Sequence, residues 1–426
     1  MPRLVTDVRT TFAGLDRDRP PAEVTATLTA AIEQAQSAGA DGAELRARYA
    51  LGRHLQDVGE FAASAEVYAA GAARGVELGT PWAPYAFENR LMRGVVLFAA
   101  GEWDQALDEL DATGEQAPPV SAALLDAQRA VVLAARGEPE ALDVARRTGA
   151  HWDVEGLAAL FAFGAELAVH EHRLDPDAAI AAYDEAVSVI TRLWRPWFAA
   201  RLRLATTTVG VLASAAGRLP AEERHRLDAE ATRLHADGRR VLDESREAGV
   251  VFGLEGQAWA VRLEAEHLRW RWAAQLDPPT LEELTDAWRR AEEAFATLGH
   301  LPELARTRLR LATVLRGVGD AAGARTLLDG VRRDAHAWRA VALLDEMVAL
   351  GSEAAPRAEG PAGELTPREA EILALVAEGR TNGEIGKQLF ISTKTVSVHV
   401  SRILAKLGAS GRTEAAAIAR RRGLVG

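Results

Sequence analysis

Residues 381–407 read TNGEIGKQLFISTKTVSVHVSRILAKL, a stretch with the capping residues and apolar spacing of two short helices joined by a tight turn. Thr381 followed three residues later by Glu384 is the pattern of a capping box, which predicts a helix start. Ser392 can cap a further helix, in which apolar residues recur at spacings of 4, 3 and 4 and predict one buried stripe. The stripe consists of Val396, Val400, Ile403 and Leu407. Two short helices joined in this way are typical of the helix-turn-helix, whose second helix enters the major groove of DNA.

An additional helix is predicted just before this stretch. Thr366 can cap it, Pro367 suits its first position, Glu369 completes a capping box, and Gly379 ends it. Its apolar positions are Ile372, Leu373, Leu375 and Val376. Residues 364–426 therefore predict a small domain of four short helices.

If the apolar stripe faces inward, the opposite face of the same helix is free to meet DNA. Cations and helix N-terminal N–H groups suit phosphate, whereas base edges specify sequence. The predicted base-reading residues are Ser397, Val398 and Ser401. The predicted phosphate contacts are Thr381, Asn382, Thr393, Lys394, Thr395, Arg402 and Lys406. A small solvated helix hairpin is the alternative interpretation of such a basic helix.

The order of these residues resembles the LuxR-type (GerE-like) DNA-binding domain. The resemblance implies a tetrahelical domain, a recognition helix from about residue 393 to 407, and a last helix that helps a homodimer form on double-stranded DNA. It is carried by Leu365–Glu369, Thr381, Asn382, Ile385, Leu389, Ile391, Ser392, Lys394, Thr395, Val396, His399, Val400, Ile403, Lys406, Leu407, Gly408 and Arg412–Ala415.

Charge is divided unequally along the chain. Residues 364–426 contain 3 Lys and 7 Arg against 6 Glu, a net charge of +4, whereas residues 1–363 carry a net charge of −15. The acidic part should repel DNA, so DNA contact is expected only at the C-terminal end.

The chain has no cysteine, which excludes disulfides and Cys-based metal sites. No apolar run is long enough to span a bilayer, so we expect a soluble, cytoplasmic protein with no membrane partner.

Most of the remaining chain shows a repeat of helix pairs. The turn glycines Gly59, Gly101 and Gly137 are separated by 42 and 36 residues, near the roughly 34-residue tetratricopeptide period. Small residues such as Gly52 and Gly94 would let the two helices of a pair approach closely. Since no pair can bury its faces alone, we expect a stacked superhelix with a concave groove. The pattern resembles a tetratricopeptide-like α-solenoid over residues 1–350, and the predicted fold class is all-α.

Tryptophan and arginine concentrate between residues 190 and 300, where the repeat pattern is weakest. A groove lined by such residues would suit a peptide or an anionic or sugar-like ligand. The predicted groove residues are Trp194, Trp197, Trp259 and Trp270. The alternative is that these tryptophans fill irregular spaces between long helices. Residues 351–363, rich in Gly, Pro and Ala, predict a flexible linker to the domain at 364–426.

No motif for catalysis stands out. A phosphate-binding loop, a receiver domain, a nucleophile elbow and a zinc-protease motif are all missing from the sequence, so we predict no enzyme, no catalytic residues, no metal site and no cofactor. Either the protein senses without nucleotide hydrolysis, or the chain is the C-terminal half of a larger regulator with an ATPase module.

Together these patterns predict a bacterial, sequence-specific transcription regulator. Its helical repeats would sense a small-molecule or peptide effector or contact RNA polymerase, and its C-terminal helix would read DNA. The second hypothesis is a protein-interaction scaffold with a weak DNA-binding appendage. It draws on Gly383, Ser397 and Ser401, where many members of the resembled family carry basic residues.

Overall fold

The computed structural model describes residues 19–250, 252–352, 367–389, 396, 400, 403, 409 and 411–421. The chain divides into two compact units, Met1–Pro356 and Arg357–Gly426, which we call the N-terminal and C-terminal units. Every regular element among the described residues is helical, so the all-α prediction is confirmed.

The N-terminal unit contains sixteen α-helices among its described residues. They are α1 (Pro21–Ser37), α2 (Asp41–Asp57), α3 (Phe61–Glu77), α4 (Ala86–Ala99), α5 (Trp103–Leu110), α6 (Pro119–Arg136), α7 (Ala141–Arg147), α8 (Gly156–Arg173), α9 (Pro176–Ile190), α10 (Ala200–Ala215), α11 (Ala221–Glu247), α12 (Leu254–Ala274), α13 (Leu281–Leu298), α14 (Leu301–Val318), α15 (Ala321–Trp338) and α16 (Val341–Ser352). Short 3₁₀ turns follow α7 and α10. Since α16 ends at Ser352, the first two residues of the predicted linker are helical, and residues 353–363 lie outside the described residues.

The described helices of the C-terminal unit are α17 (Pro367–Ala377), α18 (Asn382–Leu389) and α19 (Arg412–Arg421). Val396, Val400 and Ile403 are also helical. As predicted, Pro367 begins α17, where its missing N–H costs no helical hydrogen bond. Gly379 follows the end of α17 with a positive φ of 86°.

Tight turns at glycines join the paired helices of the N-terminal unit. Gly59 lies between α2 and α3 with φ of 86°, and Gly101 lies between α4 and α5 with φ of 84°. This left-handed conformation is open to glycine without the steric penalty of a Cβ. Gly137 and Gly319 adopt it at the corresponding turns after α6 and α14. The turn positions predicted from the repeat are therefore confirmed.

The helices of a pair approach closely where the sequence places glycine. A Cβ on Gly52 of α2 would overlap the ring of Tyr68 on α3. A Cβ on Gly94 of α4 would lie 2.6 Å from Leu110 Cδ2 on α5. Two non-bonded carbon atoms do not approach this closely in either pair. Only glycine therefore allows the two helices of each pair to pack in this way.

Alternate helices stack on one another along the unit. Helix α2 packs against α4, α4 against α6, α6 against α8, α8 against α10, and α10 against α12. Each pair thereby buries the apolar face that it cannot bury alone. Along the stack the largest fully buried side chains include Tyr68, Phe163, Tyr183, Trp270 and Phe295.

The stack also closes on itself, which the repeat pattern does not predict. Helix α14 contacts α4, and α16 contacts α6. Trp103 of α5 stacks on Trp338 of α15 with ring centroids 5.2 Å apart, although the two residues are 235 positions apart in sequence. Arg136 Nε donates a hydrogen bond of 3.2 Å to the Trp338 carbonyl. We call this group of residues the closing contact. The concave groove expected from sequence is thus narrowed to cavities between the early and late helices of the unit.

In the parts of the chain that the structure describes, none of the helices combines the length and apolar character that crossing a bilayer requires.

Replacing Trp338 with Ala should lower the free energy of unfolding by about 3–5 kcal/mol, because a large buried side chain and its stacking partner lose their contacts. Trp338 is only 7% exposed. The loss is measured by urea unfolding followed by far-ultraviolet circular dichroism. Val348→Ala on α16, at a residue that is 70% exposed, serves as the control and should change stability little. A Trp338→Ala variant as stable as the control would show that the closing contact contributes nothing.

Candidate nucleic-acid interface and central cavity

The core of the C-terminal unit is built from the apolar residues that the sequence singles out. Val396 and Ile403 are buried and Val400 is partly buried, as predicted for the inward stripe. Leu407, the fourth member of the stripe, lies outside the described residues. The three described members of the stripe pack with Ile372, Leu373, Leu375, Val376, Ile385, Ala415, Ile418 and Ala419. Helices α17, α18 and α19 therefore share one core with Val396 and Ile403.

The start of α18 is fixed by a capping box. The Thr381 N–H donates to Glu384 Oε2 at 2.7 Å, and the Thr381 hydroxyl donates to the same oxygen at 2.9 Å. The Glu384 N–H donates in return to Thr381 Oγ1 at 3.3 Å. The capping box predicted from sequence is confirmed. The Thr381 side chain, a predicted phosphate contact, is exposed and already engaged with Glu384.

Arg412 connects α19 to the beginning of α18. Its Nη1 donates to Asn382 Oδ1 at 3.2 Å, and its Nη2 donates to the Arg380 carbonyl. Asn382, another predicted phosphate contact, is thereby held by a cation from 30 residues further along the chain. Arg412 is not predicted from sequence to act at this site, since no local pattern relates it to Asn382.

The remaining predicted DNA contacts lie outside the described residues and stay predictions. They are Thr393, Lys394, Thr395, Ser397, Val398, Ser401, Arg402 and Lys406.

The four tryptophans of the predicted ligand groove lie in different surroundings. The Trp197 ring stacks with Arg201 and Arg240, whose guanidinium carbons are 4.3 Å and 4.4 Å from its centroid. Trp194 packs edge-on against Phe198. Trp270 is fully buried and donates to Asp228 Oδ1 at 2.8 Å. Of the four, Trp259 alone lines the cavity described next.

The interior of the N-terminal unit contains a cavity of about 120 Å³, here called the central cavity. Its walls come mainly from the even-numbered helices α2 to α14, the alternate members of the stack. The lining residues are Gln56, Phe61, Val95, Phe98, Ala99, Gln128, Val131, Ala135, Phe161, Gly164, Leu167, Ala168, Glu171, Arg203, Leu204, Thr207, Gly210, Glu255, Trp259, Arg262, Glu266, Leu298, His300, Glu303 and Arg306.

Buried ion pairs form part of the cavity wall. Glu171 of α8 accepts hydrogen bonds from Arg306 and Arg310 of α14, the latter at 2.9 Å. Burial acts to raise the pKa of Glu171, but these two guanidinium groups outweigh it and lower the pKa to about 2. Arg310 also pairs with Glu346 of α16. Charged side chains thus tie α8, α14 and α16 together.

A second set of ion pairs surrounds Arg262 of α12. Its Nη1 donates to Glu303 Oε2 at 2.7 Å, and its Nη2 lies 3.4 Å from Glu266 Oε1. Burial acts to raise the pKa of Glu303, but Arg262 and Arg306 lower it overall. Burial lowers the pKa of nearby His300, which favours the neutral imidazole at physiological pH.

A further cavity of about 180 Å³ lies beside the closing contact and shares Glu171 and Arg306 with the central cavity. Trp103 and Trp338 line it, as do Leu343, Asp345 and Glu346 of α16. Asp345 Oδ2 is 3.2 Å from His172 Nε2 of α8. This cavity therefore touches the last described helix of the unit.

Comparison with known proteins identifies the C-terminal unit. The sequence model of the GerE family, described as bacterial regulatory proteins of the luxR family, matches residues 363–419. The C-terminal unit carries a luxR-family domain.

Curated proteins similar to the chain are transcription regulators of bacteria. Transcriptional regulatory protein LiaR of Bacillus subtilis is 57% identical over 65 residues, which are 15% of this chain and 31% of that protein. DNA-binding transcriptional activator DevR/DosR of Mycobacterium tuberculosis is 40% identical over 104 residues, 24% of this chain and 42% of that protein. Putative HTH-type transcriptional regulator Rv0890c of the same species is 39% identical over 93 residues, which are 21% of this chain and 10% of that protein. The chain spans less than half the length of each relative.

Replacing Thr381 with Ala should destabilise the start of α18 by about 1 kcal/mol, because the N-cap acceptor is lost. Hydrogen exchange of the amides of residues 382–389 in the whole chain measures the effect. Thr381→Ser keeps the hydroxyl and should restore protection.

Thr280→Ala provides a matched control, since Thr280 forms the same capping box with Glu283 at the start of α13. This change should leave exchange at residues 382–389 unaltered. Equal protection in Thr381→Ala and the unaltered protein would contradict the assigned capping role.

Proposed function

We propose that the protein is a sequence-specific, double-stranded-DNA-binding transcription regulator. The observation that carries the proposal is the match of residues 363–419 to the luxR family, together with the buried positions of Val396 and Ile403. A helix that buries these two positions is expected to turn its opposite side, which includes residues 397, 398 and 401, away from the core. We therefore assign that side to the major groove.

Within this interface, bases and phosphates are contacted by different residues. Ser397, Val398 and Ser401 read base edges. Thr393, Lys394, Thr395, Arg402 and Lys406 contact phosphate, and Thr381 and Asn382 contribute from the start of α18. Phosphate contacts fix the register and supply salt-dependent affinity, whereas base contacts supply specificity. The net charge of +4 on residues 364–426 supports this assignment.

The N-terminal unit acts as a tetratricopeptide-like sensor domain in this proposal. Its helix pairs, glycine turns and enclosed cavities support a role in binding an effector, either a small molecule or a peptide. The cavity beside the closing contact includes residues of α16, the last described helix before residues 353–366. An effector bound in the central cavity would act on α16 through Glu171 and Arg306, which line both cavities, and this is how we expect the signal to leave the unit.

Assembly on DNA is the remaining part of the proposal. The last helix of the domain would help form a homodimer, and the helical repeats offer a surface for RNA polymerase. LiaR and DevR/DosR are described as a transcriptional regulatory protein and a DNA-binding transcriptional activator, respectively. By analogy we propose that this chain, too, regulates transcription through DNA binding.

Replacing Lys394 with Ala should weaken DNA binding to a similar extent on every sequence, because one phosphate contact is lost. The slope of log affinity against log salt should flatten by about 1. Fluorescence anisotropy of the whole chain, with duplexes from upstream of its own gene and neighbouring genes, measures both quantities across a salt series.

Arg246→Ala removes an exposed arginine from the N-terminal unit and serves as the matched control, with an unchanged slope expected. Ser397→Ala should instead alter the preference among duplexes. If the unaltered chain binds none of the duplexes at low salt, the DNA-binding proposal is wrong and the scaffold hypothesis gains support.

A further inference from the structure

Two polar side chains in the wall of the central cavity are buried or half-buried without a protein partner. The Gln128 side chain of α6 is 2% exposed and forms no hydrogen bond with another described residue. Arg203 of α10 is half-buried and forms neither an ion pair nor a hydrogen bond with the described part of the chain. Buried polar groups nearly always have a partner, and leaving one unpaired costs free energy. The Gln128 amide therefore points to a partner that is not part of the protein, and the Arg203 guanidinium is free to pair with the same partner.

The space around Arg203 is kept open by small neighbours. Gly164 of α8 faces it, and the only side-chain atom within reach of a Cβ on Gly164 is Arg203 Nη2 at 4.0 Å. Thr207 lies one helical turn after Arg203 on the same face of α10 and also lines the cavity. A guanidinium, a hydroxyl and an amide thus surround one open volume.

The unpaired charge of Arg203 favours an anion beside this side chain. The lining acids Glu171, Glu266 and Glu303 are each paired with arginines of the buried network. The remaining lining acid, Glu255, is exposed. Arg203 is thus a cation of the lining whose charge no acid balances within 4.0 Å among the described residues. A carboxylate is a natural partner for such a guanidinium.

The rest of the wall fits a single aromatic ring. Phe61, Phe98, Phe161 and Trp259 contribute aromatic surface, and Leu204 contributes aliphatic surface. The volume of about 120 Å³ is close to that of an engineered cavity of about 150 Å³ that binds benzene in another protein. A one-ring molecule fills this space, whereas a folded peptide does not fit.

We propose that the central cavity binds a monocyclic aromatic carboxylate of about the size of benzoate. The carboxylate pairs with Arg203, Gln128 provides a second polar contact, and the ring packs against the aromatic wall. This inference deepens the sensing role proposed above by naming the chemical class of the effector. Binding is measured without DNA, so its outcome is independent of whether the chain binds DNA.

The test is isothermal titration calorimetry of the whole chain with benzoate and, in parallel, with benzyl alcohol, which has the ring but no charge. Benzoate should bind saturably at millimolar or lower concentration. Arg203→Gln should weaken benzoate binding by about tenfold or more, since a charge-assisted contact is lost. The same change should leave the weaker affinity for benzyl alcohol nearly unaltered. Arg333→Gln, at an exposed arginine of α15, is the matched control and should change neither affinity.

A second variant separates ligand recognition from folding. Gln128→Leu removes an amide that has no protein partner, so the melting temperature of the ligand-free protein should stay the same or rise. Its benzoate affinity should nevertheless fall several-fold. A marked drop in melting temperature would show that Gln128 has a structural role and would remove it from the proposed site.

The proposal is overturned if benzoate gives no saturable heat at millimolar concentration, or if Arg203→Gln binds it as tightly as the unaltered chain. If benzoate fails to bind while anisotropy still shows DNA binding, this inference falls and the DNA-binding function stands. If benzoate binds and no duplex does, the cavity assignment stands and the regulatory function falls.

Discussion

The stacking of Trp103 on Trp338 is the contact on which the architecture of the N-terminal unit depends. A stack of helix pairs buries the faces between neighbours but leaves an apolar face at each end and an open groove along its inner side. Here, α14 contacts α4 and α16 contacts α6. Early and late helices of the stack therefore contact one another, and the groove is narrowed to cavities between them.

Closure explains why so many charged side chains are found inside. Glu171, Glu266 and Glu303 would be solvated on an open groove, but in an enclosed interior each requires an arginine. Arg306 and Arg310 meet this need for Glu171, and Arg262 meets it for Glu303. A buried pair contributes little net stability, but removing one partner is costly. The network therefore fixes the positions of α8, α12 and α14 more than it strengthens the fold. Arg203, Gln128 and Gln56 Oε1 differ from these paired groups because they have no partner among the described residues.

The C-terminal unit rests on local interactions to a much greater degree. Its α18 begins at a capping box between residues three positions apart, and α17 begins at a proline. Its core is one cluster of aliphatic side chains and alanines. The DNA contact proposed for this small domain needs only one helix face and its flanking cations. The division of charge along the chain, −15 before residue 364 and +4 after it, agrees with this separation of tasks.

The sequence by itself determined the all-α class, the capping box at Thr381, the glycine turns and the luxR-type character of the C-terminal residues, whereas the caps predicted at Thr366 and Ser392 lie outside the described residues. All of these depend on neighbours within a few positions, where the periods of helices and the preferences of Thr, Glu, Pro and Gly act directly. Only the tertiary structure decided the closing contact, because nothing near Trp103 indicates a partner at Trp338. The same holds for Arg412, whose partner Asn382 is 30 residues away. The tertiary structure also placed the four tryptophans, which were expected to share one groove, in different surroundings. It brought Gln128 and Arg203 into the wall of one cavity. Whether a polar side chain has a hydrogen-bond or ion-pair partner depends on every helix packed around it. Only the complete tertiary structure therefore decides it.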